Sequence, residues 1–577
     1  MVNKITFDIE SSGLDYTVPD FKIHCISVYN HSDGYKHTFA NEGEDNFLSH
    51  GVEYLLKADV LIGHNIIGYD LPALRRVFKV DFTAQILDDY IRWQLLEPER
   101  RGVGAKQLAV FNLGKAGDML GYSKKTAFNY SGDLSICSQE TIEQCERDVE
   151  ISVALHNYLN HKTKETDHDA LNLEMRVAEI IQRQTAHGVY FDRLKAYDLK
   201  NELGVDKDRV TTELQYSFPA ILNKTKLIDF NPGSTKQVAH RLIQKYNWKP
   251  IQFTPTGLPQ VNEQVLKSLE YPEAKQILEY NDLEKTISFI ESWLAVVKED
   301  GRIHASLNPV GTITRRMTHY KPNLSQVPSA RKTNGKGCRS LFCAPPGRVL
   351  VGMDVKGLEA RILAHYAAPY DNGYLIKLVE SGDIHNITAT GLYGKEFTSE
   401  QRNIAKTVFF AKVFGAFPKR LAKIMGTDVR EGTRIFEALN RTYPHLLELE
   451  KACKEVAIEY RKIKVIDGFW VPVDFKKLPK TDEEYPDSPV NRLVQTTGAV
   501  ICKRTLILAE QTMRNFRIEP EFVLNNHDEI EVECDIKDSQ KIAIILRGAI
   551  TRAGQFYELR CKLEGETKIG QSWADVH

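Results

Sequence analysis

No run of about 18 uninterrupted apolar residues occurs in the 577-residue sequence, which excludes an ordinary helical membrane span. No CxxC pair and no Cys/His cluster of zinc spacing is present. The nine cysteines, of which Cys338 and Cys343 are the nearest two, therefore read as isolated thiols in a reducing compartment. Excess charge is missing too: the formal net charge is -1, from 76 Lys and Arg against 77 Asp and Glu. The whole molecule is thus not a basic polyelectrolyte binder, although cations gathered along one groove would still suit nucleic acid. The opening segment, MVNKITFDIE, lacks the basic-then-apolar layout of a secretory signal. Internal repeats and low-complexity tracts are absent as well. With 42% apolar residues, the expectation is a soluble, cytoplasmic protein with several packed cores.

Three textures follow one another. Residues up to about 160 alternate strand-like runs, such as 4–9 and 58–63, with helical segments. A polar stretch, 161–169, reads as a linker. Residues 171–187 have helical spacing, with Leu173, Val177, Ile180 and Ile181 on one side and Gly188 as a stop. From Arg302 onward, short strands such as 348–353 and 521–524 alternate with long helices. The coarse picture is an α/β module, a helical region and a larger α+β module.

Chemistry concentrates in the last module. The apolar residues Val349, Leu350, Val351 and Met353 lead to Asp354. Phe522, Val523 and Leu524 lead through a polar turn to His527, Asp528 and Glu529. Two strand-end aspartates suit phosphoryl transfer. That reaction uses two divalent ions, and magnesium takes one or two carboxylates plus substrate oxygens. Between them, Arg402, Lys406, Phe410 and Phe414 recur every four residues along one helical face. Cations there would meet a triphosphate and a ring would stack on a base. An amphipathic helix with snorkelling basic residues is the plainer alternative.

As an ordered set, Asp354-x-x-Gly357-Leu358-Glu359-Ala360-Arg361, Arg402-x3-Lys406-x7-Phe414-Gly415 and His527-Asp528-Glu529 resemble motifs A, B and C of the family A DNA polymerases. The match is nearest to the short replicative enzymes of tailed phages. Further segments agree in order: 314–319, 322–328, 383–385, 495–499 and the end from Gly570 to His577. The resemblance implies an α+β right hand of palm, fingers and thumb, which binds primer-template DNA and dNTPs. It implies two Mg2+ or Mn2+ on Asp354 and Asp528. Arg402, Lys406 and His385 would contact the triphosphate, and Glu359 would lie under the sugar. Phe410 would make the enzyme a poor user of dideoxynucleotides. Arg316, Gln326, Gln495 and His527 would hold primer and template, although His527 also suits a plain turn. Phe414 stands where the family usually has Tyr, and Gly468, Phe469 and Trp470 replace a basic pair.

The first module carries its own acids. Asp8 and Glu10 share one face of a strand, since side chains alternate. Asp70 opens one expected helix and Asp148 lies before another helical run. The set Asp8, Glu10, Asp70 and Asp148 resembles the DEDD 3′–5′ exonucleases, an RNase H-like α/β fold with a mixed sheet, which would hold two further divalent ions. The family's tyrosine four residues before the last aspartate is Gln144 here, so hydrolysis is active but slowed, or the domain keeps its ions and hydrolyses little.

The implied division is 1–165 for the exonuclease, 166–345 for the thumb with part of the palm, and 346–577 for palm and fingers, with the fingers near 370–450. In the thumb, Lys224, Lys226, Lys236, Arg241, Lys245 and Lys249 suit phosphate contacts along a duplex, or a solvated face. Between Phe230 and Trp293 there is no room for a thioredoxin-binding clamp insertion. A replisome helicase or a single-strand binding protein is a further partner the resemblance allows. The leading reading is a proofreading DNA polymerase of phage replication. A gap-filling repair polymerase with a weak exonuclease differs in processivity. A nuclease or DNA-binding scaffold with an inactive polymerase module would have no chemical need for Asp354, Asp528, Arg402 and Lys406 together.

Overall fold

Alternation of Ile5, Phe7 and Ile9 with polar neighbours makes the first strand, β1 (Lys4–Ser11), two-faced, and these three side chains anchor a core. The computed structural model describes residues 2–40, 47–101, 109–122, 136–223, 225–477 and 483–576. Lys224 and His577 lie outside the described residues.

β1 pairs antiparallel with β2 (Ile23–Asn30), which pairs antiparallel with β3 (Lys36–Phe39). On its other side β1 runs parallel to β4 (Val60–Gly63), and β4 parallel to β5 (Gln85–Asp88). The order β3-β2-β1-β4-β5 is a mixed sheet, as expected of the α/β module. Helices α1 (Asp70–Phe78), α2 (Asp89–Leu96) and α3 (Gln139–Lys162) pack around it. The stretch 161–169 is no open linker. α3 runs through Lys162, a single helical turn spans Glu165–Asp167, and α4 (His168–His187) begins at once. Asp167 ties this turn down by accepting from the Lys164 main chain at 2.9 Å. α4 stops at Gly188, whose φ of +69 and close approach to the His304 ring leave no room for a Cβ.

The region expected to form the thumb packs α5 (Arg193–Ser217), α6 (Thr235–Tyr246) and α7 (Pro272–Leu294) around Leu214, Leu242, Ile277 and Trp293. Ser234 caps α6 by accepting from the Gln237 main chain. Of the cations expected to face DNA, Arg241 turns inward, whereas Lys245 stays exposed beside an acid. Arg241 is buried and donates to the Pro219 carbonyl, and Lys245 pairs with Glu273 at 2.6 Å. They staple this region together.

The palm sheet is antiparallel throughout. β6 (Arg348–Val355) lies between β8 (Glu529–Asp535) and β9 (Gly565–Gly570), and β7 (Glu521–Asn526) closes the edge beside β8. α8 (Leu358–Asp371), α11 (Pro489–Asn515) and α12 (Ser539–Phe556) pack with it; between α8 and α11 in sequence come the fingers helices α9 (Ile384–Tyr393) and α10 (Ser399–Val413). One apolar core runs from Ile5 and Phe7 through Val177 and Ile181 of α4 to Val351 and Val494, so the first module is seated on the palm. Asn308 donates to Gln94 across that seam at 2.9 Å, and both are buried.

Candidate active sites

The β6–β8 register sets Asp354 opposite Glu529. Asp528 is the next residue along, in the tight turn between β7 and β8, where His527 has φ +63. A residue with a side chain rarely adopts that conformation, and it turns the chain within two residues. Glu529 itself faces inward and accepts from Trp573 Nε1 at 2.6 Å, with Arg339 3.3 Å away. Two acids 174 positions apart in the chain, Asp354 and Asp528, are thus brought to one sheet end by strand pairing alone.

A cleft of about 410 Å³ opens against this turn. Asp528, His527, Glu359 and Arg316 line it together with Lys406 and Phe410 of α10. Gln495 of α11 also lines it. Arg316 Nη2 reaches Glu359 Oε1 at 3.0 Å. Burial pushes the Asp528 carboxyl up, and it does the same to Glu359 against the pull of Arg316. His385 is pushed down to about 4 by burial and by the charges of Lys406 and Arg402, so this corner of the fingers is strongly cationic without it. Arg402 is aimed by Asn386, which accepts from its Nε at 2.7 Å.

Phe414 sits just past the end of α10, its ring stacked 5.9 Å from Phe410. It lines a second, adjoining cleft of about 690 Å³ with Gln495, Lys419 and Arg420. Gln326 is not brought into either cleft. It is exposed at the end of a single helical turn, Leu324–Gln326.

In the first module, ligand oxygens of Asp8, Glu10 and Asp148 lie within 4.8 Å of one another. Asp70 joins from the start of α1, where its Oδ1 accepts from the Ile9 main chain at 3.1 Å. Burial, then Asp70, Asp148 and Glu10, raise the Asp8 carboxyl well above the usual range, and burial lifts Asp70 to about 8. Crowded buried acids of this kind are what a divalent cation relieves, and an all-oxygen donor set fits Mg2+ or Mn2+. A second acidic group, His187, Glu521 and Glu533, is different, because Arg302 and Arg348 already neutralise it.

Sequence reasoning missed the supports. Asp88, buried at the end of β5, accepts from the main chains of Asn65, Ile67 and Tyr90, and so fixes the loop that delivers Asp70. Its signal was an N-cap aspartate ahead of α2. Arg315, next to the cleft residue Arg316, is also buried.

Residues 200–575 match the sequence profile of DNA polymerase family A. The DNA-directed DNA polymerases of Enterobacteria phage T3 and Escherichia phage T7 are each 30% identical over 389 residues, 60% of this chain and 53% of theirs. DNA polymerase I of Pseudomonas aeruginosa is 26% identical over 450 residues, 74% of this chain and 47% of its own. The chain therefore spans about half the length of the curated relatives it matches. In fold, it resembles the POL domain of Pol1 from M. smegmatis, solved in complex with DNA primer-template and dNTP. The TM-score is 0.80 at 19% identity, over 100% of this chain and 96% of that one. With the profile covering well over half of its residues, this chain belongs to the family A DNA polymerases.

Proposed function

We propose that the chain is a DNA-templated DNA polymerase of phage replication that also carries a 3′–5′ proofreading exonuclease. The observation that carries the first part is the β6–β8 register, which sets Asp354 opposite Glu529, the neighbour of Asp528, while Asp528 lines a cleft with Lys406 and Phe410. Asp354 and Asp528 would hold two divalent ions, which would supply activation of the primer 3′-hydroxyl and charge neutralisation at the leaving pyrophosphate. Lys406, Arg402 and His385 grip the triphosphate from the fingers. Phe410 lies against the nucleotide, Glu359 sits below its sugar, and Arg316, Gln495 and His527 hold the nascent pair. Phe414 stacks by the template. The 3′-oxygen bonds to the α-phosphorus as the bond to the β-phosphate oxygen breaks.

The exonuclease reading is supported by the convergence of Asp8, Glu10 and Asp148, with Asp70 alongside. These carboxylates would hold divalent ions, which would supply activation of a water against a 3′-terminal phosphodiester. Primer extension and single-strand degradation by wild type, Asp354→Ala and Asp8→Ala test both parts. Asp354→Ala abolishes synthesis and keeps degradation; Asp8→Ala does the reverse. Synthesis by Asp354→Ala would overturn the first assignment, and degradation by Asp8→Ala the second.

A further inference from the structure

Two adjacent arginines have opposite fates. Arg316 reaches the cleft, while Arg315 is only 1% exposed. The Arg315 backbone has φ +58, a region that a residue with a side chain enters only when its surroundings hold it there. Those surroundings are unusually explicit. Arg315 Nε donates to Glu174 Oε1 of α4 at 2.9 Å, and Nη1 to Asp467 Oδ2 at 2.7 Å. The guanidinium lies 5.4 Å from the centre of the Phe469 ring. Lys503 of α11, itself buried, donates from Nζ to Glu174 Oε2 at 2.6 Å and to the Arg315 carbonyl, also at 2.6 Å. Side chain and main chain of Arg315 are therefore both clamped, by residues from three separate parts of the fold.

The clamp acts on a tight turn. The Arg315 main chain donates to the Thr312 carbonyl at 2.9 Å, the Arg316 main chain donates to Thr312 Oγ1 at 3.0 Å, and Gly311 donates back to the Arg316 carbonyl at 3.0 Å. These bonds fix the Arg316 backbone. From that fixed point its side chain spans to Glu359 in the cleft. A buried ion cluster is a weak source of net stability but a good source of unique geometry, because any other arrangement strands a charge.

We propose that Arg315 is a positioning residue for nucleotide addition: its buried ion cluster locks the left-handed turn that aims Arg316 at Glu359. Arg315 touches no substrate and acts only through Arg316. The inference rests on the polymerase reading above, and the test separates the two.

The test is a double-mutant cycle on the full chain. Wild type, Arg315→Met, Arg316→Ala and the double variant are compared by primer extension for dNTP kcat and KM, with melting temperature alongside. Arg315→Met lowers kcat/KM by about tenfold, the order of one lost charge-assisted hydrogen bond. In the Arg316→Ala background the same change has almost no further effect on kcat/KM. Arg315→Lys, which keeps a buried cation for one of the two acids, recovers part of the loss, and it replaces Arg315→Met in the cycle if that variant does not fold. Equal losses in both backgrounds, or a lower melting temperature with unchanged kcat/KM, would overturn the proposal. Absence of extension by wild type would instead sink the polymerase reading.

Discussion

Gln144 Nε2 donates to Asp148 Oδ2 at 2.8 Å, one helical turn further along α3. The amide thus turns towards an acid of the cluster. It can restrain that carboxylate, but it has no acidic hydroxyl with which to orient a water. Gln144→Ala is expected to lower degradation of single-stranded 3′ ends by about tenfold, the order of one charge-assisted hydrogen bond. Gln144→Tyr is expected to raise it above wild type. Gel assays of labelled single strands give both rates. Primer extension by the same proteins stays at the wild-type level, because the cluster lies on a separate sheet from Asp354.

Asp88 is a second lever on that cluster. Two of its three main-chain donors, Asn65 and Ile67, lie in the loop from Asn65 to Tyr69, and Asp70 follows directly. Asp88→Ala strands the two loop donors, at a cost of about 1–3 kcal/mol for each one left buried without a partner. Exonuclease activity is expected to fall at least as far as in Gln144→Ala, with polymerase activity retained at 25 °C. Equal loss of both activities would mean that the variant unfolds the seam between the modules, and a melting curve would register it.

Much of this was readable beforehand because it depends on short-range pattern. An apolar strand ending in an acid, twice, predicted Asp354 and Asp528, and the register then brought them together. Of the four-residue series Arg402, Lys406 and Phe410 on α10, Lys406 and Phe410 line the cleft. What could not be read was the direction of long cationic side chains. Arg241, Lys245 and Arg315 look like surface charges in sequence, yet each meets a distant acid or carbonyl that only the tertiary fold supplies. The family resemblance implies a primer-template role for Gln326, and its short helix leaves it outside these two clefts. The stretch 161–169 looks like a linker because it is polar, but Thr163 closes α3 by donating to the Leu159 carbonyl, and Asp167 accepts from Lys164 to close the single turn that leads into α4.

Glu533 makes stability depend on acid. Although buried, its carboxyl is held down at about 2 by the nearby His187 ring, 3.6 Å away, and by the hydrogen bonds and charge of Arg302. Arg302 grips it through two bonds of 2.8 Å each. The unfolded carboxyl titrates near 4.5. A depressed folded value contributes stability above the unfolded value, and that contribution is lost as pH falls from about 4.5 towards 2. Glu533→Gln leaves Arg302 underpaired and is expected to cost about 3 kcal/mol near pH 7, as for other broken buried pairs. Its melting temperature should therefore lie below wild type at neutral pH and converge on it at low pH. Parallel curves down to pH 2 would show that this carboxyl is not the titrating group.

Phe410 tests the nucleotide end of the cleft. Its ring lines the cleft with Lys406 and Glu359 and stacks on Phe414, with no polar atom of its own. A deoxynucleotide with its 3′-hydroxyl can supply a polar contact at this wall, whereas a dideoxynucleotide cannot. A hydroxyl carried by the protein would remove that difference. Phe410→Tyr is expected to shift the choice towards dideoxynucleotides by about tenfold or more, the order set by one buried hydrogen bond made or left unmade. Its kcat/KM for ordinary dNTPs should stay within about twofold of wild type, since the ring and its packing are unchanged. Competition between ddTTP and dTTP on a single template, read as termination bands, measures the ratio. An unchanged ratio, with normal extension, would mean that the incoming sugar does not rest against Phe410.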